Sequence, residues 1–489
     1  MPPNRIRALT QRSLLLLGAA AVSGLLLILS LPPRDVHWLA GVALVPALLA
    51  VRRTRFIAGF LCGLLVAGAA LGVVALEWVS PHPADGPLDW AAAGLAIFGV
   101  TLAVTMGVFA ELRRLGRWGV WVLAAVPVLL EALSLLELPV HFALSQYRAP
   151  GFLLLASLAG IWAVSYVLWA LNLLWVRAIA SRRPSLIMGA ASAYAVAFLL
   201  GTLAATPEGD DEVALRVGVV QTFSTDLDHL SELARATGAE LVVLPELSGN
   251  GAAAGGGSGA LLALAASPGH PAFVTTFEDG SHPPRNVAGL FSASGESPRY
   301  AKRKLFGGER LERQAGEEAV AAQFKGFRIG LNICYDSCYP QVMRDSVVSA
   351  GAQIIALPTL DPVSRGAFVE SVHAAYTPFR AAELGVPIVR ADTHAVSMVV
   401  DRRGRIVREV GVGDGVSAAA SVSPRVGWTL YARTGDWFVV LCGAVVVGWL
   451  GRRAWFRVRG APPTEALPHD GEEPPMRLHA PHGTRSHRN

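Results

Sequence analysis

The chain has 489 residues, of which 52% are hydrophobic and 16% charged, whereas water-soluble chains carry about a quarter charged residues. The formal net charge of +5 invites a nucleic-acid reading, but the arginines flank apolar runs and form no basic face, so that class is excluded. Four cysteines without CxxC spacing encode neither a disulfide framework nor a zinc site.

A bilayer span needs roughly 20 mostly apolar residues. In chain order the apolar runs fall near 13–31, 36–51, 56–79, 90–111, 118–136, 151–176 and 185–206, with a last one near 435–450. Cys62 and Cys442 lie inside such runs and read as packing residues. The loops between spans set orientation through their Lys/Arg content. Arg52, Arg53 and Arg55 follow the second run, Arg113, Arg114 and Arg117 the fourth, and Arg177, Arg182 and Arg183 the sixth. Arg452, Arg453, Arg457 and Arg459 follow the last. The alternate loops hold only Arg34, no basic residue in Ser80–Leu88, and Arg148. Eight spans satisfy this alternation and put every basic loop on the side of the N-terminus. The expected organisation is a seven-span bundle over 1–206, a soluble segment over 207–434 facing away from the cytoplasm, a span over 435–452 and a disordered cytoplasmic tail over 453–489. The tail is rich in Pro, His and charge. Its histidines 469, 479, 482 and 487 read as solvated.

Between the seventh and eighth runs the pattern changes. Short apolar runs at 216–221, 240–245, 286–293, 327–333, 352–357 and 386–390 predict buried strands, with helices over Asp226–Thr237 and Phe368–Leu384. Strands alternating with helices predict an α/β domain. Three polar residues stand at strand ends: Glu246 after LVVLP, Lys302 in YAKRKL and Cys334 after GLNI. A thiol becomes a nucleophile when a base takes its proton. A fixed ammonium, or the backbone N–H groups after Cys334, can stabilise the oxyanion that follows. Singly, these residues read as a helix cap, a surface charge and a small buried residue. His270, His282, His373 and His394 show no ligand spacing, and Arg380 and Glu383 read as a structural ion pair. The run at 249–260 lacks the Lys-Ser/Thr of a phosphate loop and reads as a mobile loop.

Taken together, Glu after a buried strand and Pro, Lys two residues after Tyr, and Cys-Tyr-acid after an apolar strand resemble the nitrilase superfamily. Its fold is an α-β-β-α sandwich. The stretches LPPRDVHWLAGVALVPALLAV (31–51), SLAGIWAVSYVLWALN (157–172), FRAAELGVPIVR (379–390), DRRGRIV (401–407) and TLYARTGDW (429–437) resemble the membrane branch of that superfamily, the apolipoprotein N-acyltransferases. The resemblance implies a multi-span α-helical bundle carrying a nitrilase-like domain on the periplasmic side of the bacterial inner membrane. It makes Glu246 the general base, Lys302 the oxyanion partner and Cys334 the nucleophile that holds the acyl group as a thioester. Glu309 matches a further family glutamate, one residue nearer the lysine; Lys304 would replace Lys302 if that gap were placed differently. Tyr335 matches the aromatic residue after the nucleophile, and Asp336 stands where the family usually has Glu. The stretches 221–230 and 359–368 also depart from the family pattern. Cys338 reads as a packing residue, with pairing to Cys334 as the alternative. The implied reaction moves an acyl chain from a membrane phospholipid to the amino group of a diacylated lipoprotein, with no cofactor, metal or nucleic acid. A membrane-tethered amidase or carbon-nitrogen hydrolase using the same three residues is the alternative.

Overall fold

The apolar runs meet a solvent that cannot hydrogen-bond the backbone, so they close their hydrogen bonds internally as helices. The computed structural model describes residues 3–77, 87–112, 119–133, 139–203, 214–253, 257–361, 366–424 and 427–459. The helices of the N-terminal half are α1 (Pro3–Ser30), α2 (Val45–Val51), α3 (Phe56–Glu77), α4 (Pro87–Leu112), α5 (Gly119–Ala132), α6 (Pro150–Ser181) and α7 (Pro184–Leu203). Among the described residues, Thr10–Ser30, Phe56–Val74, Pro150–Ser181 and Trp437–Phe456 are long and apolar enough to cross a membrane. Four shorter apolar stretches accompany them. The outer faces are apolar: Leu15, Ile57, Leu199 and Val440 are all exposed, as lipid-facing side chains are.

Close packing of the helices depends on small residues. Gly59 and Gly63 of α3 lie against Met106 and Ala103 of α4, where an added Cβ would stand 2.5 Å from the neighbouring backbone. Within the run expected as a span at 36–51, a 3-10 turn, His37–Gly41, precedes the seven-residue α2. Its interrupted backbone is satisfied by side chains. Buried Asn172 of α6 accepts from Leu44 N at 2.8 Å and donates to Ala40 O at 2.8 Å, and Ser23 accepts from Ala47 N at 3.0 Å.

Helix α6 is broken at Ala159–Gly160, where Gly160 takes φ 73°. A Cβ there would lie 2.6 Å from the Tyr431 ring, so glycine meets both the backbone and the space requirement. The break brings the Ile161 N–H to the Glu383 carboxylate at 2.7 Å and lets Trp162 Nε1 donate to Asp436 at 2.7 Å.

The second half contains β1 (Leu215–Gln221), α8 (Leu227–Ala236), β2 (Leu241–Val243), α9 (Gly259–Ala265), β3 (Ala272–Glu278), β4 (Asn286–Ser292), β5 (Gly295–Glu296), β6 (Tyr300–Ala301), α10 (Glu309–Glu312), β7 (Val320–Phe324) and β8 (Phe327–Leu331). It continues through α11 (Pro340–Val348), β9 (Ile354–Pro358), α12 (Gly366–Ala374), α13 (Tyr376–Leu384), β10 (Ile388–Ala391), β11 (Ser397–Val400), β12 (Ile406–Val410), β13 (Val416–Val422), α14 (Leu430–Thr434) and α15 (Trp437–Val458). One sheet runs β13-β1-β2-β3-β4-β5, with β6 also on β4; the other runs β12-β11-β10-β9-β8-β7. The two sheets pack face to face, with α8 and α9 on the outside of the first and α11 and α13 on the outside of the second. This is the α-β-β-α sandwich. The helix expected over Phe368–Leu384 is two, divided at Ala375. The last helix runs on to Val458, beyond the 452 expected, so Arg452, Arg453 and Arg457 lie on it. Arg113, Arg114, Arg117 and residues 460–489 of the tail, with its four histidines, lie outside the described residues.

Candidate active site

Strands β1, β2 and β3 run parallel, as do β8, β9 and β10. Parallel strands discharge their following loops at one edge, where chemistry is displayed. Glu246 follows β2, Cys334 follows β8 and Asp361 follows β9. The two edges are tied by Glu246 N donating to Thr359 O at 3.2 Å. Lys302 follows β6 and donates its backbone N–H to Asn286 O at 2.9 Å. Glu246, Lys302, Glu309, Cys334 and Tyr335 all line one cavity of about 180 Å³, together with Phe306, Arg313, Asp361 and His373.

The cation is enclosed. Lys302 Nζ donates to Glu246 Oε1 at 2.8 Å and to Glu309 Oε1 at 3.0 Å, and Lys302 and Glu246 are both buried. Burial opposes the charge, but Glu246, Cys334 and Glu309 outweigh it and hold the ammonium above its ordinary range. Asn286 Nδ2 donates to the same Glu246 Oε1 at 2.7 Å. Both bonds use Oε1, so Oε2 is the oxygen available for a further proton. Glu309 is fixed in turn by Phe306 N at 2.8 Å and by Arg313 at 3.3 Å.

Cys334 opens a 3-10 turn, Cys334–Cys338, with φ 48°, a conformation that costs a non-glycine residue and recurs at functional turns. Its Sγ lies 3.9 Å from Leu360 O. Burial, reinforced by the Glu246 charge, pushes the thiol well above its ordinary range, and Lys302 opposes that rise.

Asp336 does not line the cavity. It is buried and accepts from Tyr300 OH at 2.7 Å, Ile333 N at 3.0 Å and Lys304 N at 2.9 Å. One carboxylate thus ties the cysteine turn to the lysine segment. Burial raises it to about 6, against those hydrogen bonds. Lys304 sits over the Tyr339 ring, and Lys302 is the lysine in the cavity. Cys338 and Cys334 are both free thiols. Burial raises Cys338 as well.

Several cavity residues lay beyond sequence reasoning. His373 bonds Asp361 Oδ1 through Nδ1 at 2.8 Å, and its Nε2 lies 3.1 Å from Ser337 Oγ and 3.3 Å from Cys334 O. Asp361 also accepts from Arg390 at 2.5 Å, and Arg390 reaches Asp392 at 3.0 Å. Although buried, Asp361 is held below its usual range by His373 and Arg390. Ligand-type atoms of Cys334, Asp361 and His373 lie within 4.8 Å of one another. Asp361 and His373 are already engaged by Arg390, Ser337 and each other. Arg380 and Glu383 are fully buried and paired, and Arg380 Nε donates to Ser337 O at 2.9 Å. Of the other histidines, His394 pairs with Glu370 at 3.2 Å. The departing stretch 359–368 contributes Leu360 and Asp361, while 362–365 lie outside the described residues, as do 254–256 of the glycine run.

Two family profiles match the chain. One, described as carbon-nitrogen hydrolase, covers 218–427; the other, described as apolipoprotein N-acyltransferase N-terminal domain, covers 23–174. An apolipoprotein N-acyltransferase of Geobacter metallireducens is 28% identical across 89% of this chain and 95% of its own length. One of Gloeobacter violaceus is 28% identical across 91% and 95%. Among solved structures, a CN-hydrolase superfamily protein of Xanthomonas campestris is 22% identical, with a TM-score of 0.37 over 43% of this chain and 91% of its own. With both profiles in their expected halves and relatives spanning nearly the whole length, this chain belongs to the apolipoprotein N-acyltransferases, the membrane branch of the nitrilase superfamily.

Proposed function

We propose that the protein transfers an acyl chain from a membrane phospholipid to the N-terminal amine of an S-diacylglyceryl cysteine on a lipoprotein, through a thioester on Cys334. The observation that carries this reading is one buried cavity lined by the Cys334 thiol and the Lys302–Glu246 pair, in a chain with helices apolar enough to cross a bilayer.

In the first half-reaction the Cys334 sulfur attacks the donor ester carbon while its proton passes to Glu246 Oε2. A lysine ammonium has three N–H donors. Two serve Glu246 and Glu309, and the third serves the oxyanion of the tetrahedral intermediate. Collapse of that intermediate breaks the ester C–O bond, and Glu246 returns the proton to the departing lysophospholipid oxygen. In the second half-reaction the acceptor amine attacks the thioester and gives its proton to Glu246. The C–S bond breaks and the thiol is re-formed. The membrane setting follows from the donor. Drawing a long acyl chain into water costs on the order of 10 kcal/mol, at about 0.8 kcal/mol per CH₂. Transmembrane helices let the tail stay in apolar surroundings. We further propose eight crossings of the inner membrane, with the sandwich on the periplasmic side, from the placement of the arginine-rich loops.

The test supplies purified protein in detergent with phospholipid and a fluorescent diacylated lipopeptide. A mass gain of one acyl chain on the peptide amine, absent from Cys334→Ala, is expected, together with an acyl adduct on Cys334 when phospholipid is given alone. Release of fatty acid without peptide modification would replace this reading with a hydrolase.

A further inference from the structure

Opposite the Lys302–Glu246 pair, the cavity has titratable side chains that the proposed reaction does not use. Asp361, on the segment leaving β9, and His373, near the end of α12, line it together with Cys334. We infer that His373 is a positioning residue for the nucleophile: it holds the carbonyl of Cys334 so that the sulfur stays aimed at the acyl carbon, and Asp361 sets the angle of its ring. The inference rests on the proposed function only in taking the Cys334 sulfur as the attacking atom.

The need arises in the backbone. Cys334 has φ 48°, a conformation disfavoured for any residue with a side chain and kept only where the surroundings over-determine it. A change in φ rotates Cβ relative to the strand before it, and the sulfur moves with Cβ. The turn is accordingly gripped on several sides. Asp336 accepts the Ile333 N–H at 3.0 Å, and Arg380 Nε donates to the Ser337 carbonyl at 2.9 Å. Ser337 Oγ donates to the carbonyl of Cys334 itself at 2.9 Å. His373 Nε2 closes this last contact, 3.1 Å from Ser337 Oγ and 3.3 Å from Cys334 O.

The ring is held from behind. Nδ1 bonds Asp361 Oδ1 at 2.8 Å, and Arg390 holds the other oxygen of that carboxylate at 2.5 Å. A carboxylate offers acceptors alone, so it takes the Nδ1 hydrogen and leaves Nε2 facing the turn. His373, Asp361 and Arg390 are all buried, where hydrogen bonds are stronger than in water. Ser337, His373 and Asp361 have the connectivity of a hydrolytic triad, but Ser337 is fully buried and off the cavity wall. The line therefore ends on the backbone of the neighbouring cysteine and supplies no second nucleophile.

The test separates the two ring nitrogens in full-length protein in detergent. His373→Asn places an amide near the Nδ1 position and keeps a donor for Asp361. His373→Gln places one near Nε2 and keeps the contact with the turn. The acyl donor is p-nitrophenyl butyrate: the sulfur–carbon bond forms, the ester C–O bond breaks, and the thiol proton passes to Glu246 as nitrophenolate leaves. Its single-turnover burst, absent from Cys334→Ala, reports attack by Cys334 with no phospholipid or lipoprotein present. His373→Asn is expected to slow the burst roughly tenfold, the worth of one hydrogen bond, with half-saturation by the ester unmoved. His373→Gln is expected to recover most of the parent rate. Equal loss in the two variants, the reverse order, or an order that only follows their unfolding temperatures overturns the inference. So does a normal burst followed by slow transfer to a lipopeptide amine, which would make His373 a base for the acceptor. A parent protein that gives the burst but takes no acyl chain from phospholipid fails the donor assignment, and the comparison of the two variants still decides the role of His373.

Discussion

The cavity separates two effects of the same carboxylate on Cys334. Glu246 raises the thiol through its charge and, in the proposed reaction, removes the thiol proton. Glu246→Gln should therefore bring the pH midpoint of iodoacetamide labelling of Cys334 down while transfer is lost. Lys302→Met removes the cation that opposes the rise, so its midpoint should move up. A shift in the same direction for both variants would contradict the arrangement. Asn286 orients Glu246 by a hydrogen bond to a charged group, worth about 1.5–3 kcal/mol, so Asn286→Ala should slow transfer roughly 10- to 100-fold. A steady-state rate measurement checks it, and Lys304→Met, outside the cavity, should stay near the parent rate. Glu246 and Cys334 stood out in the sequence because each follows an apolar strand, whereas Lys302 follows only the two-residue β6 and was singled out by the family resemblance, two residues after Tyr300. Asn286, Asp361, His373 and Arg390 did not stand out. Most of their partners lie far along the chain, and one polar residue at the head of an apolar strand carries little signal by itself.

Among the elements, the broken α6 joins the apolar helices to the turn that carries Cys334. Glu383 accepts from Ile161 N beside the break and pairs with Arg380, which in turn donates to the carbonyl of Ser337 in the cysteine turn. Burial raises Glu383 to about 7, against the pull of Arg380. The folded chain thus binds more protons than the unfolded one between the ordinary carboxylate value and about pH 7. Stability from this group is present at the acid end and lost as pH rises through that window, by on the order of 3 kcal/mol. Thermal unfolding in detergent should show that slope, and Glu383→Gln should flatten it. Gly160→Ala should destabilise by at least roughly 1–2 kcal/mol from the left-handed backbone alone, with the Tyr431 contact added. Sequence periodicity located six strands of the sandwich through their apolar runs. It passed over β3, where Thr275 and Thr276 interrupt the run, although Thr276 Oγ1 accepts from Leu247 N and Thr275 bonds Ser248. It also passed over β13, whose alanines and serines give too little contrast to mark a strand.

At the scale of the molecule, the proposed orientation can be read with a membrane-impermeant maleimide on intact spheroplasts. Ser294→Cys, on the exposed turn after β4, should label, and Arg53→Cys, after α2, should label only after lysis. The reverse pattern would invert the topology. The four native cysteines are buried and should contribute little background.

The break in α6 also bears on how the protein is made. Seven apolar segments leave the ribosome before the first strand of the sandwich, so the Ile161 N–H and the Trp162 indole are already in place when Glu383 and Asp436 are synthesised. The sandwich then completes itself against a scaffold that arrived first, and α15 closes the arrangement last. Expressed without its helices, the 207–434 segment would expose the faces that meet α6 and leave Glu383 without its backbone donor. A stable water-soluble catalytic fragment is therefore not the expected product of trimming this chain. Its maturation is ordered by the direction of translation.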